Sequence, residues 1–159
     1  MADSIRIRAN IFGEILDHAK SEPLTECCGL LAGHDAIIDT IVRARNSLES
    51  ATVYEISPKE LFRLFREMRE QGLTHLGQYH SHLSSHNVPS PTDIEQAGYP
   101  DQAYFIVSLR PDARKPVRAF AIRDGSVREL EIVCVEECEG QRLTQSAQSK
   151  AKKRKPENL

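Results

Sequence analysis

The sequence of 159 residues has no apolar run that approaches the roughly 18 residues of a membrane-spanning helix. Its longest apolar stretch, residues 103–109, has the length of a buried strand. The N-terminus reads MADSIRIRAN and lacks the apolar core of a secretory signal, so we expect a cytoplasmic protein without a membrane partner. With 40% hydrophobic, 28% charged and only 6% aromatic residues, the composition excludes collagen-like, coiled-coil, transmembrane and wholly disordered classes.

Cysteine is also scarce, with four residues in the whole chain: Cys27, Cys28, Cys134 and Cys138. Without an export signal they are expected to be reduced thiols. A four-thiolate metal site is disfavoured, because neighbouring residues on a strand point to opposite faces and the second pair is separated by three residues instead of two. We interpret these cysteines as small buried apolar side chains, and therefore not as nucleophiles.

Several catalytic motifs are missing from the sequence. It contains no His-Glu-x-x-His zincin motif, no Walker A loop and no Gly-x-Ser-x-Gly elbow. The His-x-Glu and Pro-Cys-x-x-Cys pair of the zinc deaminases is absent as well. These absences exclude the corresponding hydrolase, nucleotide-binding and deaminase classes.

The net charge of −2 is an average over two unlike parts of the chain. Residues 1–138 carry 15 basic and 21 acidic residues, whereas residues 139–159 carry six basic and two acidic ones. The sequence thus predicts one domain over residues 1–138 and a basic, disordered tail over residues 139–159. An acidic domain argues against nucleic acid as the main partner, and the KAKKRK run of the tail is interpreted as a solvated end.

Hydrophobic periodicity predicts the element order β-α-β-β-α-β-α-β-β-β. Asn10 is the predicted cap of a first helix over residues 11–20. Ser57 and Glu60 form a predicted capping box for the second helix, and Ser90 is the predicted cap of a short third helix. Hairpins mixed with helices indicate an α/β (α+β) fold, a mixed sheet covered by helices in one domain.

Two histidines and an aspartate mark a possible metal site. His80 and His82 are two residues apart on a predicted strand, so both imidazoles project from the same face. Asp93 lies in the first turn of the helix that follows Ser90. Two imidazoles and one carboxylate leave one tetrahedral position open for water, which is typical of a catalytic zinc site. The alternative is two exposed strand histidines with a helix-capping Asp and Ser, and the spacing of these residues alone favours it.

A second segment changes this balance, since Glu26 stands two residues before Cys28-Gly29-Leu30-Leu31. In addition, seven residues separate His82 from Ser90, and two separate Ser90 from Asp93. Together the two segments resemble the JAMM, or MPN+, metalloprotease family, in its prokaryotic standalone branch. The resemblance covers most of residues 1–135. One position departs from the family pattern: Leu83 stands where proline commonly follows the second histidine.

The resemblance implies a three-layer MPN fold, related to that of cytidine deaminases, with a mixed sheet flanked by helices. It also implies that His80, His82 and Asp93 bind Zn²⁺. In the same way it implies that Glu26 is the general base and that Ser90 donates a hydrogen bond to the oxyanion. Glu22 is a rival for the base but has the wrong offset from the Cys-Gly pair. We assign no role to His18, His34 and His75, and expect His86 to be an exposed loop histidine.

The activity implied by the resemblance is hydrolysis of a peptide or isopeptide bond. The substrate would be the C-terminal junction of a ubiquitin-like protein or, better suited to a small prokaryotic domain, of a sulfur-carrier protein. The alternative is a non-catalytic MPN-type scaffold that binds proteins. Members of that kind usually lack the ligands or the base, whereas all five polar positions are present here.

Overall fold

Short apolar stretches and amphipathic segments form seven strands and three helices over residues 3–136, the part of the chain described by this computed structural model. They follow the predicted order, which is confirmed. The elements are β1 (Ser4–Arg8), α1 (Ala9–Ser21), β2 (Cys28–His34), β3 (Ile37–Ala44), α2 (Pro58–Glu70), β4 (Thr74–His82), α3 (Pro91–Glu95), β5 (Ala103–Ser108), β6 (Val117–Arg123) and β7 (Ser126–Val135). The predicted basic tail, residues 139–159, lies outside the described residues.

The strands form one sheet in the order β1-β3-β2-β4-β5-β6-β7. It closes into a ring because β1 pairs in parallel with both β3 and β7. The β4–β5 pair is also parallel, whereas β2 is antiparallel to both β3 and β4, and β6 to both β5 and β7. The predicted mixed sheet is therefore confirmed. Strand β4 lies between β2 and β5, with neighbours on both sides.

The helices cover opposite faces of this sheet. Helix α1 contacts β1, β3, β4, β5 and β7, so it lies on the inner side of the ring, where Leu31 and Phe105 pack. Helix α2 covers Leu30 on the outer side. The segment that includes α3 packs beside Ile106, also on the outer side. Because adjacent strand residues alternate between the two faces, β5 and all of β2 except its last residue are buried on both sides.

The helix starts agree only in part with the sequence prediction. Ser57 Oγ accepts a hydrogen bond from the Glu60 N–H at 3.2 Å, as expected. The Glu60 carboxylate, however, accepts from the Arg45 N–H at 3.0 Å, so that capping box is only half formed. The prediction that Asn10 caps α1 is wrong. Strand β1 leads directly into the helix, which begins at Ala9 after Arg8 and has no side-chain cap.

Within residues 3–136, none of the helices has the length and apolar character needed to span a membrane.

Gly29 in β2 provides a test of the packing between β2 and β4, with Gly13 in α1 as the control. A Cβ added at Gly29 would lie 2.5 Å from the Tyr79 ring and hydroxyl and from the Val42 carbonyl oxygen, whereas one at Gly13 in α1 would meet open space. We expect Gly29→Ala to lower the free energy of unfolding by about 1–3 kcal/mol through overpacking. Gly13→Ala should raise it by about 0.5–1 kcal/mol through helix propensity.

Urea denaturation of both variants measures the difference. Equal denaturation midpoints for Gly29→Ala and the wild type would contradict the close contact between Gly29 and Tyr79.

Candidate metal centre

Strand β4 brings His80 and His82 to the outer face of the sheet. Its register with β5 pairs His80 with Ile106 and His82 with Ser108. Both histidines are almost completely buried, with 1% and 4% of their surface exposed. The expectation that the two rings share a face is met, while the alternative of two exposed histidines on a strand edge is not.

The Asp93 carboxylate completes a compact trio. Its Oδ2 lies 3.2 Å from His80 Nε2 and 3.1 Å from His82 Nε2, and the two Nε2 atoms are 3.2 Å apart. Two ligands bound at about 2.0–2.1 Å to a tetrahedral zinc ion would be separated by roughly 3.3–3.4 Å. The spacing of the three atoms therefore fits a single zinc ion.

Hydrogen bonding around the trio supports the same fit. The His82 Nδ1–H donates to the His86 carbonyl oxygen at 2.8 Å, so a neutral ring presents a lone pair on Nε2. Asp93 Oδ2 also accepts from the Ser90 N–H at 2.9 Å. With both rings neutral, the three contacts among His80, His82 and Asp93 share at most one proton. That proton belongs to His80 Nε2, because the His82 proton lies on Nδ1. A bound cation would satisfy the facing lone pairs better than that proton does.

The environment separates the protonation behaviour of the three groups. Burial lowers the pKa of His80. Burial acts the same way on His82, but its hydrogen bonds with Asp93 and His86 outweigh that effect and raise its pKa. Burial opposes ionisation of Asp93, yet the hydrogen bonds with His80 and His82 hold its pKa well below the usual range. Asp93 is therefore ionised and able to bind a cation.

Glu26 reaches the site through the pairing of β2 with β4. This antiparallel register sets Cys28 opposite His80, and extending it by two residues brings Glu26 level with His82. The Ser81 N–H donates to the Cys27 carbonyl oxygen at 3.1 Å, which supports that extension. Only 4% of the surface of Glu26 is exposed. Burial raises the pKa of its carboxyl to about 7, with Asp93 adding to the shift and His82 opposing it.

Glu22, the rival base, lies in a different environment. Its carboxylate pairs with the His18 Nε2 at the end of α1. His18 in turn shares a hydrogen bond of 2.6 Å with the Tyr79 hydroxyl, inside the inner core. The structure therefore brings Glu26, and not Glu22, to the histidine pair.

The Ser90 hydroxyl oxygen caps α3, and its hydrogen can still be donated to another group. Its Oγ accepts from the Asp93 N–H at 3.0 Å, and the Asp93 carboxylate accepts from the Ser90 N–H, which completes a capping box for α3. Because Oγ serves as an acceptor in this cap, its own hydrogen remains available to a further partner. The capping role and a hydrogen-bonding role towards substrate are thus compatible.

Other candidate residues fall outside the trio. Within residues 3–136, a metal ion needs at least three His, Cys, Asp or Glu side chains whose donor atoms lie close together, and the trio meets this condition. Burial raises the pKa of the Cys28 thiol to about 12, so it stays protonated, as expected of an inert cysteine. The expectation of a buried side chain holds for Cys27 and Cys28 but is wrong for Cys134, which is exposed. The side chain of His86 is exposed, as expected, but its carbonyl oxygen holds His82.

Sequence reasoning missed two residues at the site, both in the irregular segment between β3 and α2. The Tyr54 ring stacks on the His80 imidazole, with centroids 4.4 Å apart and planes 23° apart. The Asn46 side chain, 3% exposed, donates to the Glu26 carbonyl oxygen at 3.0 Å. Neither residue belongs to a spaced motif, and no periodicity marks the segment.

Comparison with known proteins identifies the class of this fold and site. The family model of prokaryotic homologues of the JAB domain matches residues 8–123. The chain therefore belongs to the prokaryotic JAMM/MPN family, as its motifs indicated.

Individual relatives agree with this assignment. The chain is 32% identical over 133 residues to the CysO-cysteine peptidase of Mycobacterium tuberculosis, covering 82% of this chain and 91% of the relative. It is 35% identical over 118 residues to the desampylase of Haloferax volcanii, covering 69% and 83%. A Desulfitobacterium hafniense protein of known solution structure superposes with a TM-score of 0.75 at 32% identity, covering 87% of this chain and 97% of that protein.

If the trio binds zinc, each of its three side chains should be needed for zinc binding. His80→Ala, His82→Ala and Asp93→Ala should each lower zinc affinity by more than about 100-fold, because each removes a converging ligand atom. His86→Ala is the matched control, since only its backbone oxygen contacts His82. We expect this control to keep about one zinc ion per chain after dialysis, as measured by elemental analysis. A variant of the trio that keeps full zinc occupancy would remove that residue from the ligand set.

Proposed function

We propose that this protein is a zinc-dependent peptidase or isopeptidase that acts on the C-terminal junction of a ubiquitin-like or sulfur-carrier protein. The observation that carries the proposal is the convergence of His80, His82 and Asp93 on one point, with the buried Glu26 carboxyl beside them. A scaffold would need neither the converging ligands nor an acid of raised pKa. We therefore favour catalysis over a purely binding role.

His80, His82 and Asp93 would hold the zinc ion through two imidazole nitrogens and one carboxylate oxygen. When bound in such a set, zinc supplies a Lewis acid that lowers the pKa of water towards neutrality. The hydrogen bond from His82 to the His86 carbonyl keeps the ring in the tautomer that offers Nε2. The Ser90 N–H similarly orients the Asp93 carboxylate.

Glu26 would act as the general base and then as the general acid. In the metal-free site, burial raises the pKa of its carboxyl to about 7. A bound cation nearby would lower this pKa and so favour the carboxylate that takes a proton from water and returns it to the leaving amine. The net result is one water molecule consumed, one C–N bond broken, and a carboxylate and an amine released.

Ser90 would stabilise the carbonyl oxygen of the substrate as it gains negative charge. Its hydroxyl hydrogen is the donor, while the Asp93 N–H holds the hydroxyl oxygen in place. A donor fixed in this way needs little reorganisation during the reaction.

The substrate class is supported by the relatives. The two matched enzymes are called a CysO-cysteine peptidase and a desampylase. We therefore place the scissile bond after the C-terminal residue of a small carrier protein, where a cysteine or another amine is attached.

A cleavage assay tests the proposal together with the base. Zinc-loaded wild-type protein is incubated with sulfur-carrier and ubiquitin-like proteins that carry a C-terminal extension, and products are identified by mass. We expect cleavage at the junction. Glu26→Gln should lower turnover by about 100- to 10,000-fold, because it removes the proton acceptor, while keeping zinc.

Glu22→Gln is the control for that experiment, since Glu22 pairs with His18 away from the trio. It should retain wild-type turnover. Loss of zinc from Glu26→Gln would refute its assignment as a base that is not a ligand. A wild-type protein without zinc and without cleavage of any junction would favour the scaffold.

A comparison of two helix-capping serines separates the structural role of Ser90 from its proposed catalytic role. Ser57 and Ser90 both cap helices that begin with proline. Replacing either with alanine should cost about 1 kcal/mol in free energy of unfolding. Only Ser90→Ala should also lower turnover, by about 100- to 1,000-fold, because it removes the donor to the oxyanion. Equal turnover in the two variants would reduce Ser90 to a cap.

A further inference from the structure

Glu26 lies just outside β2, and its backbone is held by the segment between β3 and α2. Its N–H donates to the Ser50 carbonyl oxygen at 2.8 Å. Its own carbonyl oxygen accepts from Asn46 Nδ2 at 3.0 Å. The first residue of the β2 strand is Cys28, so the position of Glu26 relative to His82 depends on these two contacts as well as on the sheet.

The Asn46 side chain uses all of its hydrogen-bonding capacity in this segment. Besides Glu26, the two Nδ2 hydrogens face the carbonyl oxygens of Val53 at 2.9 Å and Ser50 at 3.3 Å, so one hydrogen is shared between two acceptors. Its Oδ1 accepts from the N–H groups of Leu48 at 3.1 Å and Glu55 at 3.2 Å. A buried amide with this many partners strongly restricts the backbone around it.

Two of these contacts flank Tyr54. Asn46 holds the carbonyl oxygen of Val53 and the N–H of Glu55, the residues on either side of Tyr54. The Tyr54 ring stacks on His80, one of the trio. One buried side chain therefore fixes both the backbone of Glu26 and the aromatic ring that packs on a proposed metal ligand.

We propose that Asn46 is a positioning residue that sets the Glu26 carboxyl at its working distance from the metal trio. The inference rests on the proposed function, because it assigns Asn46 a part in the same reaction. The hydrogen bonds of the Asn46 side chain described above go to residues outside the trio, whose members belong to β4 and α3. Loss of this side chain should thus displace the base, whereas the trio is held independently by the pairing of β4 with β5 and by the capping box of α3, even if the Tyr54 ring moves. A displacement of about 1 Å at a reacting group can cost roughly 100-fold in rate.

The first test is Asn46→Ala. We expect kcat to fall by about 10- to 100-fold, with zinc occupancy unchanged and KM within about threefold of wild type. Loss of folded protein would lower zinc occupancy and apparent kcat in the same proportion, so a fall in kcat at full zinc occupancy distinguishes a displaced base from a loss of structure. In parallel, hydrogen exchange of the zinc-free protein should accelerate at the Leu48 and Glu55 amides, which lose their acceptor.

Ser47→Ala is the matched control. Its hydroxyl donates to the Glu55 carbonyl oxygen at 3.0 Å, so the variant loses a hydrogen bond in the same segment without touching Glu26. It should retain the wild-type kcat. A kcat loss in Ser47→Ala equal to that in Asn46→Ala would overturn the proposal, as would an unchanged kcat in Asn46→Ala.

A second variant covers the case in which Asn46→Ala does not fold. Asn46→Asp at pH 8 keeps the shape and the acceptor for Leu48 and Glu55 but replaces the donor that faces Glu26. It should show the same kcat loss, with a melting temperature that reports folding. If neither variant folds, Asn46 serves the stability of the whole chain and the proposal is wrong.

The proposed function can fail independently of this inference. A wild-type protein that binds no zinc and cleaves no junction refutes the proposed function, whatever the variants do. A wild-type protein that cleaves, together with an Asn46→Ala variant of equal kcat, refutes only the positioning role.

Discussion

The antiparallel register of β2 with β4 is the constraint on which the rest of the site depends. It sets Cys28 opposite His80 and so brings Glu26 level with His82, although 53 residues separate Glu26 from His80 in the sequence. A shift of one residue would turn Glu26 to the opposite face of the sheet, since strand side chains alternate. Gly29 allows this close pairing, because the Tyr79 ring occupies the space where another residue would carry its Cβ.

A second constraint is that one capping box serves both the fold and the site. Ser90 and Asp93 satisfy each other's backbone N–H groups at the start of α3. The same Asp93 oxygen that accepts from Ser90 also faces both histidines. The hydrogen bonds that cap α3 therefore also orient the Asp93 carboxylate towards the two histidines. Helix capping and metal binding are therefore compatible interpretations, because both depend on the same contacts of Ser90 and Asp93.

Much of this architecture could be predicted from sequence because the signals are local. Strand alternation, proline after a serine cap and the spacing of His80, His82, Ser90 and Asp93 predicted the element order and the candidate trio. Local signals also misled at the first helix, where Asn10 has the right residue type for a cap. The helix begins earlier because β1 runs straight into it, and residue type alone carries no information on that junction.

The sequence by itself determined which groups could bind a metal and which acid could serve as a base, since these depend on residue type and spacing. For the base, the offset from the Cys-Gly pair already favoured Glu26 over Glu22, and the tertiary structure adds the physical reason, because strand pairing brings Glu26 level with His82 while Glu22 pairs with His18. Only the tertiary structure shows the contacts that Asn46 and Tyr54 make. Their contacts join an irregular segment to a strand and to a neighbouring ring, and such long-range contacts leave no periodic pattern in the sequence.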